Sequence, residues 1–231
     1  MTFIIGDIHG CNRTFQALLE QLELGENDRL ILLGDYIDRG PDSKGVIDTI
    51  FSLREAGQEV VCLRGNHEQL LLDALEDAGD LELWLINGGR QTMTSFGADR
   101  LRDIPQPYIG FFKSTLLYHE AEHCICVHGG LDFSKPDPLE HAHPLLWARH
   151  WYADIDYAWL GDRIIVHGHT PAGIEPIREQ CKNLDRQQYL NLDNGCVYAG
   201  RGSARGDDGL GRLLGFCLES RRLTEQNNVE T

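Results

Sequence analysis

Gly34-Asp35-Tyr36-Ile37-Asp38-Arg39-Gly40, preceded by Leu30-Ile31-Leu32-Leu33 and followed by Pro41, is the stretch on which the fold turns. Four aliphatics in a row ahead of a glycine read as a buried strand whose C-terminal end opens into a loop. In open α/β sheets that end is where ligands bind. Two carboxylates and a guanidinium in such a loop need a metal, a cation or several N–H donors once the loop folds back over the strand. Alone, Asp-x-x-Asp-Arg-Gly also suits a solvated turn, so the decision rests on the rest of the chain.

The same arrangement recurs on both sides. Residues 2–5 are an apolar run ending at Gly6-Asp7-Ile8-His9-Gly10. In Asp-x-His, alternate side chains project the same way from extended backbone, so a carboxylate oxygen and an imidazole nitrogen can bind one ion. Asn12 reads as the N-cap of an amphipathic helix carrying Phe15, Leu18, Leu19 and Leu22 and closed at Gly25. After the central loop, residues 43–56 predict a helix stopped by Gly57, and 59–63 a buried strand. That strand runs into Arg64-Gly65-Asn66-His67-Glu68, ahead of a leucine-rich helix from Gln69 to about Ala78. Strand, polar loop and helix in repetition indicate βαβ units with the chemistry on one rim of the sheet.

Between 80 and 118 the pattern loosens. Trp84-Leu85-Ile86-Asn87-Gly88-Gly89, the stretch 92–96 and two prolines predict short helices and turns over the site. Cys124-Ile125-Cys126-Val127 is a strand ending in His128-Gly129-Gly130. A proline- and acid-rich loop at 132–144 leads to Leu145-Leu146-Trp147-Ala148-Arg149, and Ile164-Ile165-Val166 ends in His167-Gly168-His169-Thr170. The remainder reads as β: 189–192, a turn at Asn194-Gly195, 196–198, a Gly/Arg/Asp loop at 200–209, and 211–218. A polar tail from Glu219 is expected to fray. No linker divides the chain, so one domain over 1–231 is expected.

Composition narrows the function classes. Apolar content of 42% and charged content of 25% over 231 residues are those of an ordinary globular chain. A formal charge of −15 argues against nonspecific nucleic-acid binding, though not against a phosphorylated substrate at a locally cationic site. No window approaches the roughly 20 apolar residues that span a bilayer, and the N-terminus lacks the basic region of a signal peptide, so no membrane role is expected. Seven cysteines without Cys-x-x-Cys fit reduced thiols in a cytoplasm. Oligomeric state is left open.

Five strand ends thus carry Asp7/His9, Asp35/Asp38, Asn66/His67, His128 and His169. Mixed oxygen and imidazole donors are the ingredients of a two-metal hydrolytic site. His141 and His143 have ligand spacing, but sit in a proline-flanked loop without a third ligand and read as solvated. His167 and His169, two residues apart, point the same way, so either can be a ligand.

Gly-Asp-Ile-His-Gly, Gly-Asp-Tyr-Ile-Asp-Arg-Gly, Gly-Asn-His-Glu, His-Gly-Gly and Gly-His-Thr stand in the order of the calcineurin-like metallophosphoesterases. The chain most resembles their phosphoprotein phosphatase branch in its short bacterial and phage form. The motifs span residues 6–170, and Leu192-Asp193-Asn194-Gly195-Cys196 resembles the family's later sheet. The resemblance implies an α/β fold of the four-layer αββα sandwich type. It implies two divalent ions, Mn²⁺ before Fe or Zn²⁺, with Asp7 and His9 on the first, Asp35 bridging, and Asn66, His128 and His169 on the second. His169, in Gly-His-Thr, is the matching histidine, which makes His167 a supporting residue.

The resemblance also implies direct attack by a water shared between the ions, with His67 protonating the leaving alkoxide and Asp38 holding His67. Arg39 matches the family's phosphate-binding arginine, Arg149 is the candidate for a second, and Asn66 lies on the phosphate side as well. Arg64 is read as a structural ion-pair partner. The reading that follows is a metal-dependent phosphomonoesterase acting on phosphoserine or phosphothreonine in proteins, and on phosphotyrosine too. Against it stands a dinucleoside polyphosphate hydrolase, which shares most motifs but often lacks the second acid of the central loop. A catalytically inactive metal-binding scaffold requires a lost ligand, and none is missing.

Overall fold

The computed structural model describes residues 1–200 and 209–230. Ten strands are described: β1 (Thr2–Ile5), β2 (Arg29–Leu32), β3 (Glu59–Cys62), β4 (Tyr118–Ala121), β5 (Cys124–Val127), β6 (Ile164–His167), β7 (Tyr189–Asn191), β8 (Asp193–Asn194), β9 (Arg212–Cys217) and β10 (Arg222–Asn227). They form two sheets. The first runs β10-β9-β1-β2-β3, with β8 also pairing β9, and the second runs β4-β5-β6-β7. β1, β2 and β3 are parallel, as are β5, β6 and β7, while β9, β10 and β4 pair antiparallel to their neighbours.

The alternation of side chains along the strands explains the layering. Phe3, Ile5, Leu30 and Leu32 face outward onto α1 (Asn12–Leu22) and α2 (Ser43–Glu55), where Phe15, Leu18, Val46 and Ile50 complete one core. Their neighbours Ile4, Ile31 and Leu33 face the other way and meet Cys124, Cys126, Ile164 and Val166 of the second sheet. Ile125, Val127 and Ile165 then turn away from that interface, onto Leu145, Trp151 and Leu160. The result is the expected αββα sandwich, closed over the first sheet by α3 (Asn66–Glu76) and over the second by α4 (Ala142–Trp147) and α5 (Tyr157–Leu160). The seven cysteines are all free thiols. Among the described residues no helix is long and apolar enough to cross a membrane.

Several local expectations change. Asn12 is not a cap: Cys11 holds that position without a side-chain bond, and Asn12 donates to Asp42 (3.0 Å) and accepts from Thr49 (2.9 Å). The first turn of α1 is served instead by Glu230, which accepts from the Thr14 N–H at 2.8 Å and from its hydroxyl at 3.0 Å. A cap from so distant a segment leaves no local pattern. α3 begins at Asn66 rather than Gln69, which puts Asn66, His67 and Glu68 in its first turn. Residues 196–198 form a single 3₁₀ turn, because Gly195 takes φ +63° and swings the chain out of β8. The tail beyond Glu219 is β10, paired along its whole length with β9; its polarity is that of a sheet edge. Of the loop expected at 200–209, residues 201–208 lie outside the described residues.

Candidate active site

The loops after β1, β2 and β3 converge with those after β5 and β6. Asp35 is at the centre, 2% exposed. Its Oδ2 lies 3.3 Å from His9 Nε2 and its Oδ1 3.4 Å from His128 Nε2, and Oδ1 also accepts from the backbone N–H of His67 at 3.1 Å. Burial alone would push the Asp35 carboxyl up. Against that, the charge of the His128, His67 and His9 rings whenever they are protonated, with that of the Arg39 guanidinium, holds it well below the usual carboxylate range. Asp7, from the loop after β1, reaches across to the other sheet, accepting the His169 N–H at 3.0 Å. Burial raises its pKa, and the nearby acids Asp193 and Asp35 raise it further.

The histidine tautomers follow from their backbone partners. His9 Nδ1 donates to the Ile37 carbonyl at 2.9 Å and His128 Nδ1 to the Leu33 carbonyl at 3.0 Å. Burial depresses both pKa values, so each ring is neutral and its Nε2 carries a lone pair. The His128 lone pair then faces the Asn66 side-chain oxygen at 3.0 Å and Asp35 Oδ1, acceptor against acceptor. His169 Nδ1 lies 2.8 Å from the same Asn66 oxygen, while its Nε2 is buried with no hydrogen-bond partner. Burial takes the His169 ring down to about 3. Converging lone pairs in a buried pocket repel unless a cation lies among them, so this donor set fits a divalent ion.

Among the described residues, two groups offer donor atoms within 4.8 Å of one another: Asp35, His128 and His169, and His9, Asp35 and His67. The first falls within the expected ligands of the second ion. The second contains His67 where the resemblance implies Asp7. His67 Nδ1, however, is 2.7 Å from Asp38 Oδ2, and its Nε2 is 4.0 Å from Asp35. Burial lowers the proton affinity of His67, but Asp35 and Asp38 outweigh it and raise the pKa.

Arg39 extends over the first half of the site, its Nη1 donating to His9 Nε2 at 2.6 Å. Arg149 is exposed and approaches from the second half, with Nη1 3.4 Å from the His169 carbonyl and 3.5 Å from the Thr170 hydroxyl. Both nitrogens of His167 are engaged: Nδ1 donates to the Gly168 carbonyl at 3.0 Å and Nε2 accepts from the Tyr152 hydroxyl at 2.7 Å. His141 and His143 are exposed. Arg64 bonds Thr115, Gln69 and backbone carbonyls rather than a carboxylate.

Residues that sequence reasoning passed over hold the loops in place. Glu68 is fully buried and accepts the N–H groups of Asp35, Tyr36 and Gly65, each at 2.9 Å, tying the β2 and β3 loops together. Burial, with Asp35 adding to it, pushes its carboxyl up to about 8. Asp193 is buried beside the cluster, accepts from the Gly195 N–H at 2.7 Å, and is pushed up to about 7, chiefly by burial. Its signal was available, since Leu192-Asp193-Asn194-Gly195 repeats the pattern of an acid between an apolar run and a glycine.

Residues 2–205 match the family of calcineurin-like phosphoesterases. The chain belongs to that family. As a calcineurin-like phosphoesterase it is a hydrolytic enzyme, and its relatives divide over substrate. It is 43% identical over 207 residues to the serine/threonine-protein phosphatase 1 of Salmonella typhimurium, a match covering 86% of this chain and 88% of the relative. It is 25% identical over 229 residues to an asymmetrical bis(5'-nucleosyl)-tetraphosphatase of Oceanobacillus iheyensis, covering 86% and 85%. A solved protein serine/threonine phosphatase from Saccharomyces cerevisiae shares the fold, with a TM-score of 0.65 at 16% identity, over all of this chain and 80% of that one.

Proposed function

We propose that this phosphoesterase hydrolyses phosphate monoesters of serine and threonine in proteins, and of tyrosine as well. The observation that carries the reading is the buried pair of His67 Nδ1 and Asp38 Oδ2 at 2.7 Å. An alkoxide is a poor leaving group and needs a proton as the bond to phosphorus breaks, whereas a polyphosphate leaves without one. With Nδ1 committed to Asp38, the proton available to the leaving oxygen is the one on His67 Nε2. Arg39, and Arg149 from the opposite side, would pair with the phosphoryl oxygens and meet the charge that grows on them. The Salmonella phosphatase, 43% identical, supports this substrate class.

Asp7, His9 and Asp35 would hold one divalent ion, and Asp35, Asn66, His128 and His169 a second, with Asn66 also facing the phosphoryl group. Mixed carboxylate, amide oxygen and imidazole donors suit Mn²⁺, with Fe or Zn²⁺ as alternatives. When bound, the ions supply electrostatic stabilisation of phosphoryl charge and acidify water to give a nucleophile near neutral pH. The chain's own part is to orient the ester, keep His67 charged and exclude bulk water around Asp35.

A dinucleoside polyphosphate hydrolase is the second reading, supported by the relative from Oceanobacillus iheyensis. Kinetics on a phosphoserine peptide, p-nitrophenyl phosphate and diadenosine tetraphosphate, with Mn²⁺ fixed, separate the two. The monoesterase reading expects kcat/KM on the phosphopeptide to exceed that on the dinucleotide. The reverse order overturns it.

A further inference from the structure

His67 accounts for only one of the contacts on the Asp38 carboxylate. The Thr92 hydroxyl donates to Asp38 Oδ1 at 2.6 Å and accepts the Asp38 backbone N–H at 2.9 Å. The Trp84 indole N–H lies 3.0 Å from Oδ2 and 3.2 Å from Oδ1. Both side chains are fully buried, and both come from the segment whose sequence pattern was loosest. Two glycines let that segment lie on the catalytic loop. Gly88 takes φ +120°, and a Cβ there would stand 2.6 Å from the Arg39 nitrogen; a Cβ on Gly89 would stand 2.5 Å from the Trp84 ring. The Gly88 carbonyl also accepts the Arg39 N–H at 3.4 Å.

A buried carboxylate has rotational freedom about its last torsion unless its other lone pairs are taken up. Here Thr92 and Trp84 take them, which leaves one Oδ2 direction for His67 Nδ1. We propose that Trp84 and Thr92 are positioning residues for the leaving-group proton: they fix the plane of Asp38, and through it aim His67 Nε2 at the ester oxygen. The inference rests on the phosphomonoester reading and sharpens it. Such bracing matters in proportion to how much the leaving group needs a proton, so it assigns the site to alkyl esters before aryl esters and anhydrides.

The test uses the full-length, metal-loaded enzyme with Thr92→Val, Thr92→Ser and Trp84→Phe, on a phosphoserine peptide and on p-nitrophenyl phosphate. Thr92→Val is expected to lower kcat on the phosphopeptide about 10- to 100-fold, the worth of one hydrogen bond to a charged group. The loss on the aryl ester should be under about 3-fold, since a phenolate leaves with little help from a proton. KM and metal content should not move, Thr92→Ser should restore kcat, and Trp84→Phe should follow Thr92→Val. In a His67→Asn background, Thr92→Val should add nothing. Equal losses on the two substrates, a loss that persists without His67, or no loss at all would overturn the positioning role. A wild type that leaves the phosphopeptide untouched while cleaving diadenosine tetraphosphate would overturn the underlying reading too, so the two failures are distinguishable. If Thr92→Val does not fold, the substrate ratio of Trp84→Phe decides.

Discussion

The rim of the six-stranded sheet presents carboxylates in strained loops, whereas the rim of the four-stranded sheet presents neutral imidazoles at its strand ends. On the first rim His9, Asp35, Asp38 and Arg39 all take positive φ, between 47° and 71°. Such conformations cost on the order of 1–3 kcal/mol each and persist only where the surroundings over-determine them. The surroundings here are Glu68, which accepts three backbone N–H groups, and Ser43 and Thr92, which accept the Asp38 N–H. On the second rim, among the described non-glycine residues, only His169 is strained, at φ +70°, and His128 continues its strand to rest on a carbonyl of the facing sheet. Charge and strain gather where several loops must meet at Asp35. The imidazole side carries less strain and relies on staying uncharged.

The largest expected effect tests that asymmetry. Asp35 faces His9 of one rim and His128 of the other, while Asp7 lies beside the loop of His169 and meets neither of them. Asp35→Asn is expected to cost at least about 10³ in kcat at saturating Mn²⁺, since an anion shared by two cations is worth several kcal/mol. Elemental analysis should find fewer than two ions per chain. Asp7→Asn should be milder on both counts. If it matches Asp35→Asn, the two rims do not share a single anionic centre.

An intermediate effect is expected at the arginines. Arg39 is half-buried with its guanidinium 5.9 Å from the centre of the Tyr198 ring, while Arg149 is exposed and hydrogen-bonded at 3.4 and 3.5 Å. A preorganised cation stabilises developing charge better than one that must be ordered first, so Arg39→Ala should lose on the order of 10² in kcat/KM. Arg149→Ala should lose about 10-fold, mostly in KM, because a solvent-screened contact is worth less. Phosphate inhibition should weaken in the same order. The reverse order would move the phosphate clamp to the four-stranded rim.

How much of this was legible depended on how local the information was. Asp7, His9, Asp35, Asp38, Asn66, His67, His128 and His169 each follow an apolar run closely, so strand-then-loop reasoning brought all of them to one rim, and they do converge. The sandwich itself was legible only through the family motifs, because short apolar strands look alike whichever sheet they join. Glu68, Trp84 and Thr92 escaped because a buried acid in the first turn of a helix, or a tryptophan in a loosely patterned segment, is the same string whether or not it braces a catalytic loop. The cap that Glu230 supplies to α1, and the pairing of β9 with β1, each link residues more than 200 positions apart, with no periodicity to announce them.

The smallest effect concerns stability rather than turnover, and it probes an imidazole of the second rim that lies outside the expected ligand set. His167 is 2% exposed, with Nδ1–H on the Gly168 carbonyl and Nε2 accepting from Tyr152. Burial holds its pKa at about 4, against an ordinary value of 6.5. The unfolded chain therefore binds a proton that the folded chain refuses, and the stabilising contribution present above pH 6.5 drains away as pH falls towards 4. Between pH 7.5 and 5 this one group should remove about 2 kcal/mol of stability. His167→Asn gives up the bond to Tyr152 at a cost that does not vary with pH, so the slope and not the level is diagnostic. Urea denaturation at the two pH values, with chelator present so that metal release does not contribute, should show wild type losing about 2 kcal/mol more than His167→Asn on acidification. The carboxylate rim offers a contrast: Asp35, held low by its cationic and imidazole neighbours, stays charged throughout that range. Parallel pH slopes for wild type and variant would mean that acid sensitivity does not reside in the buried imidazole of the four-stranded sheet.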